Sequence, residues 1–81
     1  MKIQEQILLK DMANDTKVQF LKVDAGRGLK ARLAAMGLLA GVEFKVINNG
    51  HPGPLVIDLK GSRIILGRGM AGKIIVKPSE S

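Results

Sequence analysis

The chain has 81 residues, of which two are aromatic and none is cysteine, so disulfides and thiolate metal sites are excluded and a reducing, cytoplasmic compartment is the default expectation. A chain of this length is predicted to form one domain over residues 1–81, and such a small domain buries only about 60% of its unfolded surface, which argues against a deep active site. The net charge of +6 lies in residues 21–81 and indicates either a solvated basic surface or an acidic partner, a nucleic acid or an anionic membrane surface.

The first third of the chain predicts one clear strand. Residues 2–9 alternate only weakly between apolar and polar side chains, so we expect an edge segment that leads into a turn. Lys17–Val23 predicts a strand with Val18 and Phe20 on one face. The glycines of residues 24–28 then predict a loop.

The middle of the sequence predicts a helix that ends in a glycine turn. Leu29, Leu33 and Met36 fall on one face of a short helix, and we expect that face to be buried. Gly37 suits the left-handed conformation just past the helix, and Leu38 would then fold back onto Leu33 in a Schellman ending. The helix is therefore predicted to end at Met36.

A second glycine turn is predicted at Gly41, before a strand over residues 42–48 in which apolar and charged side chains alternate. The two adjacent leucines of the turn cannot both point into one small core. Since Leu38 is assigned to the helix ending, Leu39 is the better candidate to face solvent or a partner. The apolar run over residues 33–42 is far shorter than the ~18 residues of a membrane helix, so we expect no membrane span.

The rest of the chain predicts short strands joined by tight connections. In chain order these are a hairpin connection over 48–54, a strand over 55–60, a turn at Gly61-Ser62, a strand over 63–66 and a last strand over 74–77. Five short strands and one short α-helix predict a mainly β fold, a small SH3-like five-stranded barrel. An open sheet would leave long apolar edges unpaired.

The stretch GRGMAGK matches two phosphate-binding patterns, but we interpret the match as fortuitous. A phosphate loop needs a helix that begins at its glycine turn, and a Ser or Thr after the lysine to hold magnesium. Here Ile74 follows the lysine and is predicted to begin a strand. We therefore expect no nucleotide site at Gly67, Gly69, Gly72 and Lys73, and a glycine turn between two strands instead.

Neither a catalytic set nor a strong metal site is predicted. His51 is the only histidine and has no carboxylate near it in sequence, so it is at most a weak or intermolecular metal ligand. The serines have no suggested histidine and acid partners, and the acids form no pair spaced for acid–base chemistry. We expect a non-enzymatic protein without a cofactor, and weak binding of a divalent metal stays open.

The stretch RLAAMGLLAGVEFKV resembles the signature RL..MGL..G....V of the FeoA family, the small ferrous iron transport protein A domains. The matching residues are Arg32, Leu33, Met36, Gly37, Leu38, Gly41 and Val46, followed by Gly53-Pro54, Ala71, Ile74 and Val76. The resemblance covers about residues 9–78, and Ala40 stands where the family commonly has proline, which loosens the turn. It implies the same SH3-like fold that the strand pattern predicts.

The resemblance also implies a function. FeoA-like proteins act in bacterial ferrous iron uptake with FeoB, a membrane iron transporter that carries a cytosolic GTPase domain. The implied role is a cytoplasmic accessory protein that binds or regulates FeoB, through GTP hydrolysis, complex assembly or metal handling. We predict partner contacts at Leu38, Leu39 and Ala40, with His51 and Pro52 as a second region.

Three other interpretations start from the small basic barrel. A nucleic-acid-binding module fits the charge, but single-strand binders stack bases on aromatic rings, and the two phenylalanines are expected in the core. The same shortage of aromatic rings weakens recognition of proline-rich peptides. A relative of the SH3-like domain that closes some metal-dependent repressors would share the fold, but no DNA-binding helix pair is predicted here.

Overall fold

The computed structural model describes residues 6–50 and 53–79, which form an antiparallel sheet with short helical segments. The strands in these ranges are β1 (Ile7–Leu8), β2 (Thr16–Val23), β3 (Glu43–Asn49), β4 (Leu55–Leu59), β5 (Ser62–Leu66) and β6 (Ile74–Pro78). The helices are α1 (Arg27–Ala35) and α2 (Arg68–Ala71), with a 3-10 turn at Leu9–Asp11. Each of the five predicted strands begins within one residue of its expected position.

The strands form one sheet in the order β1-β6-β2-β3-β4-β5, and every neighbouring pair is antiparallel. β6 therefore lies between β1 and β2. The register shifts between Phe20 and Lys22 in β2 and between Val46 and Asn48 in β3, and such bulges bend a sheet. The buried side chains lie on one face of this bent sheet.

The mainly β class and the SH3-like fold are confirmed, whereas the strand count and the closure differ from the prediction. We expected five strands and one α-helix, but the described residues hold six strands and two α-helices. The extra strand is β1, part of the expected edge segment, which pairs with β6. Among the described residues the sheet does not close into a barrel, because β1 has only two residues before the chain enters the 3-10 turn and makes no ladder with β5.

The core is aliphatic, as the composition predicts, and it follows the predicted alternation along the strands. Val18 and Phe20 of β2 are buried, while Gln19 between them is only half-buried. The other core residues of the described chain are Leu9, Met12, Val23, Leu33, Leu38, Phe44, Val46, Leu55, Ile57, Leu59, Leu66, Ala71, Ile74 and Val76. The core therefore draws on every strand except β1, together with both helices and the 3-10 turn.

The tight turn of the last hairpin lies one residue earlier than expected. The sequence predicted Gly61-Ser62, but Lys60 and Gly61 are the two residues with left-handed φ values, +53° and +89°. Ser62 already pairs with Leu59 across the ladder. A lysine in this conformation is uncommon, so the residue type alone favoured the wrong pair.

Candidate partner-binding surface

The end of α1 is the Schellman turn that the sequence predicts. Gly37 has a φ of +92°, and the N–H groups of Gly37 and Leu38 donate to the carbonyl oxygens of Ala34 and Leu33, both at 2.9 Å. Leu38 is buried in the same core cluster as Leu33. A Cβ atom on Gly37 would lie 3.3 Å from Leu59 Cδ2, so this position is closely packed as well as left-handed.

The expectation that Met36 is buried is wrong, because 38% of this residue is exposed. Leu33, on the same predicted face, is buried, and Leu29 is half-buried. Met36 is the C-cap residue, at which the chain leaves the helix, and the Schellman turn brings Leu38 into the core in its place. The predicted apolar face thus continues beyond the point at which helical geometry ends.

An exposed apolar surface remains on the outside of the turn between α1 and β3. Leu39 is 54% exposed, as the sequence predicts, and Ala40 is also exposed. Leu38 was predicted to share this surface with them, but its burial removes it from contact with a partner. We call Met36, Leu39 and Ala40 the α1–β3 turn surface.

Hydrogen bonds fix this turn to β2. The Gly41 N–H donates to Phe20 O at 2.8 Å, the Phe20 N–H donates to Val42 O at 2.8 Å, and Gln19 Nε2 donates to Gly41 O at 3.0 Å. Gly41 has a φ of +91°, so the second predicted glycine turn is confirmed. A surface held in this way loses little conformational entropy when a partner binds.

The helix that leads into the turn is basic. Arg27, Lys30 and Arg32 are exposed, and α1 contains no acidic residue. The α1–β3 turn surface therefore follows three positive charges in the chain. Such a combination favours a partner surface that is acidic around an apolar centre.

A second group of residues, which the sequence did not predict, is centred on Arg68 at the start of α2. Arg68 Nη1 donates to Asn49 Oδ1 at 2.8 Å, to Gly50 O at 2.9 Å and to Gly53 O at 3.0 Å. Arg68 Nη2 donates to Lys10 O at 3.2 Å. All four acceptors are neutral amide oxygens. We call these five residues the Arg68 cluster.

Asn49 connects the Arg68 cluster to the segment before β2. Its Nδ2 atom donates to Lys10 O at 2.8 Å and to Met12 O at 2.7 Å. Its backbone N–H donates to Asn14 Oδ1 at 2.6 Å. The end of β3 is therefore held by polar contacts against the 3-10 turn and the residues that follow it.

His51 and Pro52 lie in that connection but outside the described residues. Their role as partner contacts, and that of His51 as a weak metal ligand, stay predictions. The residues that bracket them, Gly50 and Gly53, both accept hydrogen bonds from Arg68. Within residues 6–50 and 53–79, no three His, Cys, Asp or Glu side chains come together as a metal site.

The GRGMAGK segment is not the simple turn that we expected, because it contains the one-turn helix α2. The N–H groups of residues 71–73 donate to carbonyl oxygens of the same segment at 2.9 to 3.0 Å. These amides are therefore occupied and do not converge on an anion as they do in a phosphate loop. This arrangement supports the prediction that Gly67, Gly69, Gly72 and Lys73 bind no nucleotide.

These features define a class of protein, a small SH3-like β domain that presents a fixed apolar turn beside a basic helix. None of the described helices has the length and hydrophobicity needed to cross a membrane. Residues 7–78 match the family model described as the FeoA domain. The chain belongs to the FeoA domain family, which confirms the resemblance seen in its sequence.

Individual relatives agree with this assignment. The chain is 49% identical over 59 residues to a protein of Methanocaldococcus jannaschii assigned as Fe(2+) transport protein A. The aligned region covers 73% of this chain and 71% of that protein. It is similar to the crystal structure of an iron uptake regulatory protein (FeoA), with a TM-score of 0.85 and 27% identity over 93% of this chain and 100% of that one.

The fold also occurs as part of a longer protein. A manganese-dependent transcriptional repressor is similar to this chain with a TM-score of 0.85 and 15% identity. The match covers 96% of this chain but only 44% of the repressor. At this level of identity the similarity shows the fold alone.

Proposed function

We propose that the chain is a non-enzymatic accessory protein of ferrous iron uptake, which binds the cytosolic side of a FeoB-type membrane GTPase transporter. Membership of the FeoA domain family supports the role in iron uptake. So do the similar protein assigned as Fe(2+) transport protein A and the similar iron uptake regulatory protein. The α1–β3 turn surface is the contact that we assign to the transporter.

The observation that carries this assignment is the exposure of Leu39. Full burial of a leucine side chain contributes roughly 1.5–3 kcal/mol relative to full exposure. Leu39 is 54% exposed, so its burial by a partner contributes about half of that amount. Met36, at 38% exposure, adds less. Contributions of this size suit a reversible association, in which accessory binding can regulate the transporter.

The direct test replaces Leu39 with glutamate and measures binding to the purified full-length transporter. Because Leu39 is exposed, Leu39→Glu is expected to change the free energy of unfolding by about 0.5 kcal/mol or less. We expect affinity for the transporter to fall about tenfold or more, since a charge would be placed in an apolar contact.

Ala13→Glu is the matched control, because it adds the same charge at another exposed position. This variant is expected to bind the transporter as the unchanged chain does. If Leu39→Glu also binds normally, or if it unfolds, the assignment of the α1–β3 turn surface is wrong.

A nucleic-acid-binding module is the alternative that the net charge of +6 favours. Both phenylalanines are buried, however, with Phe20 4% and Phe44 3% exposed, so neither ring is available to stack on a base. Binding would then rest on phosphate contacts alone and would weaken steeply as salt is raised. Titration of a labelled RNA oligonucleotide at low and physiological salt tests this, and tight, salt-resistant binding would favour the alternative.

A further inference from the structure

The two edges of the sheet are built differently. At one edge, β1 has two residues and is followed directly by the 3-10 turn. At the other edge, β5 has five residues, no proline and one charged side chain, Arg63. Edge strands are usually short, charged, bulged or covered, because an open edge can pair with another chain. The β4–β5 ladder is regular and has no bulge, so β5 has few of these protections.

The register of the β4–β5 hairpin determines which backbone groups of β5 face outward. The residues that flank a two-residue turn of this kind form a hydrogen-bonded pair, and such pairs alternate with non-hydrogen-bonded ones along the ladder. Arg63 and Ile65 therefore direct their N–H and C=O groups away from β4. In the part of the chain that the structure describes, β4 is the one strand that pairs with β5, and no turn or loop backbone group bonds to these outward groups.

The side chains along this edge give it a chemical preference. Ile65 is 68% exposed, and its cross-strand neighbour on the same face, Val56, is half-buried. Arg63 is exposed two residues before Ile65, and Lys60 is exposed in the adjoining turn. Asp58 of β4 lies opposite Arg63, and its Oδ1 atom accepts a hydrogen bond from the Gly61 N–H at 2.9 Å. An apolar side chain thus stands beside two positive charges along the outer edge of β5, which pairs with no second strand among the described residues.

We propose that the open edge of β5 binds an extended, acidic segment of a partner protein by antiparallel strand addition. The added strand would exchange backbone hydrogen bonds with Arg63 and Ile65. Directly opposite side chains interact in such a pair, so an apolar residue is expected opposite Ile65 and an acidic residue opposite Arg63. The two strands run in opposite directions. The recognised pattern is therefore an apolar residue, any residue, and then an acid.

A second copy of this chain is a poorer occupant of the same edge. Antiparallel pairing of two β5 strands about Ile64 would place each Arg63 against an Ile65. Pairing about Arg63 would place two guanidinium groups together, and pairing about Ile65 would place each Arg63 opposite Gly67, beyond the end of β5. Each copy also carries a net charge of +6, which opposes association.

The test uses the full chain and a short fluorescein-labelled peptide with the central sequence valine-threonine-glutamate. We expect saturable binding by fluorescence anisotropy. Replacement of the peptide's glutamate by lysine is expected to weaken binding about fivefold, because an exposed ion pair with Arg63 is lost and a repulsive pair takes its place. Methylation of the peptide's valine nitrogen, which removes one donated backbone hydrogen bond, is expected to abolish it.

A charge exchange makes the test independent of general loss of folding. Arg63→Glu is expected to reverse the preference, so that the lysine peptide binds about fivefold more tightly than the glutamate peptide. Arg32→Glu makes the same change of charge on α1, and it is expected to leave the preference for glutamate intact. In hydrogen-exchange NMR, the amides of Arg63 and Ile65 are expected to exchange fast in the free chain and slowly with peptide bound.

Three results would overturn the proposal. The first is peptide binding that N-methylation or Arg63→Glu does not alter, and the second is the absence of saturable binding. The third is protection of the Arg63 and Ile65 amides that appears with rising protein concentration alone, which would identify a second copy as the occupant. The proposal does not rest on the role in iron uptake, because it uses neither the α1–β3 turn surface nor the transporter.

Discussion

The α1–β3 turn and the Arg68 cluster are held in place in different ways. The turn is packed through apolar burial, with Leu33 and Leu38 in the core and Gly37 in the left-handed conformation between them, and its hydrogen bonds to β2 add to that packing. The Arg68 cluster has no fully buried member, and one guanidinium group holds it through four donated hydrogen bonds.

A local sequence pattern can predict an arrangement like the turn but not one like the Arg68 cluster. The turn is specified by residues within a few positions of one another, so helical spacing and a following glycine are enough to infer it. The acceptors of Arg68 lie 15, 18, 19 and 58 positions away along the chain. Only the completed fold brings them together.

The largest expected effect tests whether apolar burial fixes the turn. Leu33 is 1% exposed, and Leu33→Ala is expected to lower the free energy of unfolding by about 2–5 kcal/mol, because it removes buried atoms and leaves a cavity. Urea denaturation measures this. Leu39→Ala makes the same side-chain change on the outside of the turn and is expected to lower stability by about 0.5 kcal/mol or less. Equal effects of the two variants would contradict the comparison.

Removal of the Arg68 guanidinium group tests whether its hydrogen bonds hold the Arg68 cluster together. Arg68→Met is expected to lower the free energy of unfolding by about 1–3 kcal/mol, which is less than four separate hydrogen bonds would suggest, because water can reach part of the half-buried site. Hydrogen exchange at Gly50 and Gly53 should accelerate more than exchange in β2.

Two further variants identify which property of Arg68 matters. Arg68→Lys keeps the charge but not the planar fork of donors, so it is expected to resemble Arg68→Met rather than the unchanged chain. Arg32→Met removes an exposed arginine from α1 and is expected to leave both stability and loop exchange unchanged. Full rescue by lysine would show that charge, not geometry, holds the cluster.

Replacement of Gly37 in the turn is expected to have a smaller effect on stability, and replacement of Gly28 in α1 provides a control with the opposite sign. Gly37→Ala is expected to destabilise the fold by about 1–2 kcal/mol, because φ is +92° and the new Cβ would lie 3.3 Å from Leu59 Cδ2. Gly28 lies inside α1 with nothing within 4 Å of an added Cβ, so Gly28→Ala is expected to stabilise by about 0.5–1 kcal/mol. Thermal unfolding of both variants should give melting temperatures that shift in opposite directions.

The smallest effect concerns the lysine at the end of the GRGMAGK segment. The backbone N–H of Lys73 donates to Met70 O, and its carbonyl oxygen accepts from Asp24, so both contacts survive removal of the exposed side chain. Lys73→Ala is expected to change stability by about 0.5 kcal/mol or less. Calorimetry with magnesium and ATP or GTP should detect no binding to either form, and tight binding that Lys73→Ala abolishes would revive the phosphate-loop interpretation.

The sequence was sufficient to predict those elements whose own residues show a periodic pattern or a characteristic turn residue. The five longer strands show alternation, whereas β1 has two residues, too few to display a period of two. The burial of Met36 was predicted wrongly because apolar spacing does not mark the residue at which helical geometry ends. The exposure of Leu39 followed from the helix ending, and it is the part of the candidate site that sequence reasoning could reach. Arg68 carried no local signal, since its hydrogen bonds depend on tertiary structure.

The place of β6 in the sheet has a consequence for synthesis on the ribosome. Because β6 lies between β1 and β2, neither strand has its neighbour on that side until residues 74–78 have left the exit tunnel. The meander from β2 to β5 can pair earlier, since all of its members precede β6 in the chain. Until then the core lacks Ile74 and Val76, so the nascent chain exposes apolar side chains that the finished protein covers. The strands from β2 to β5 can therefore pair before β6 is available, and β2 is then an edge strand of this partial sheet.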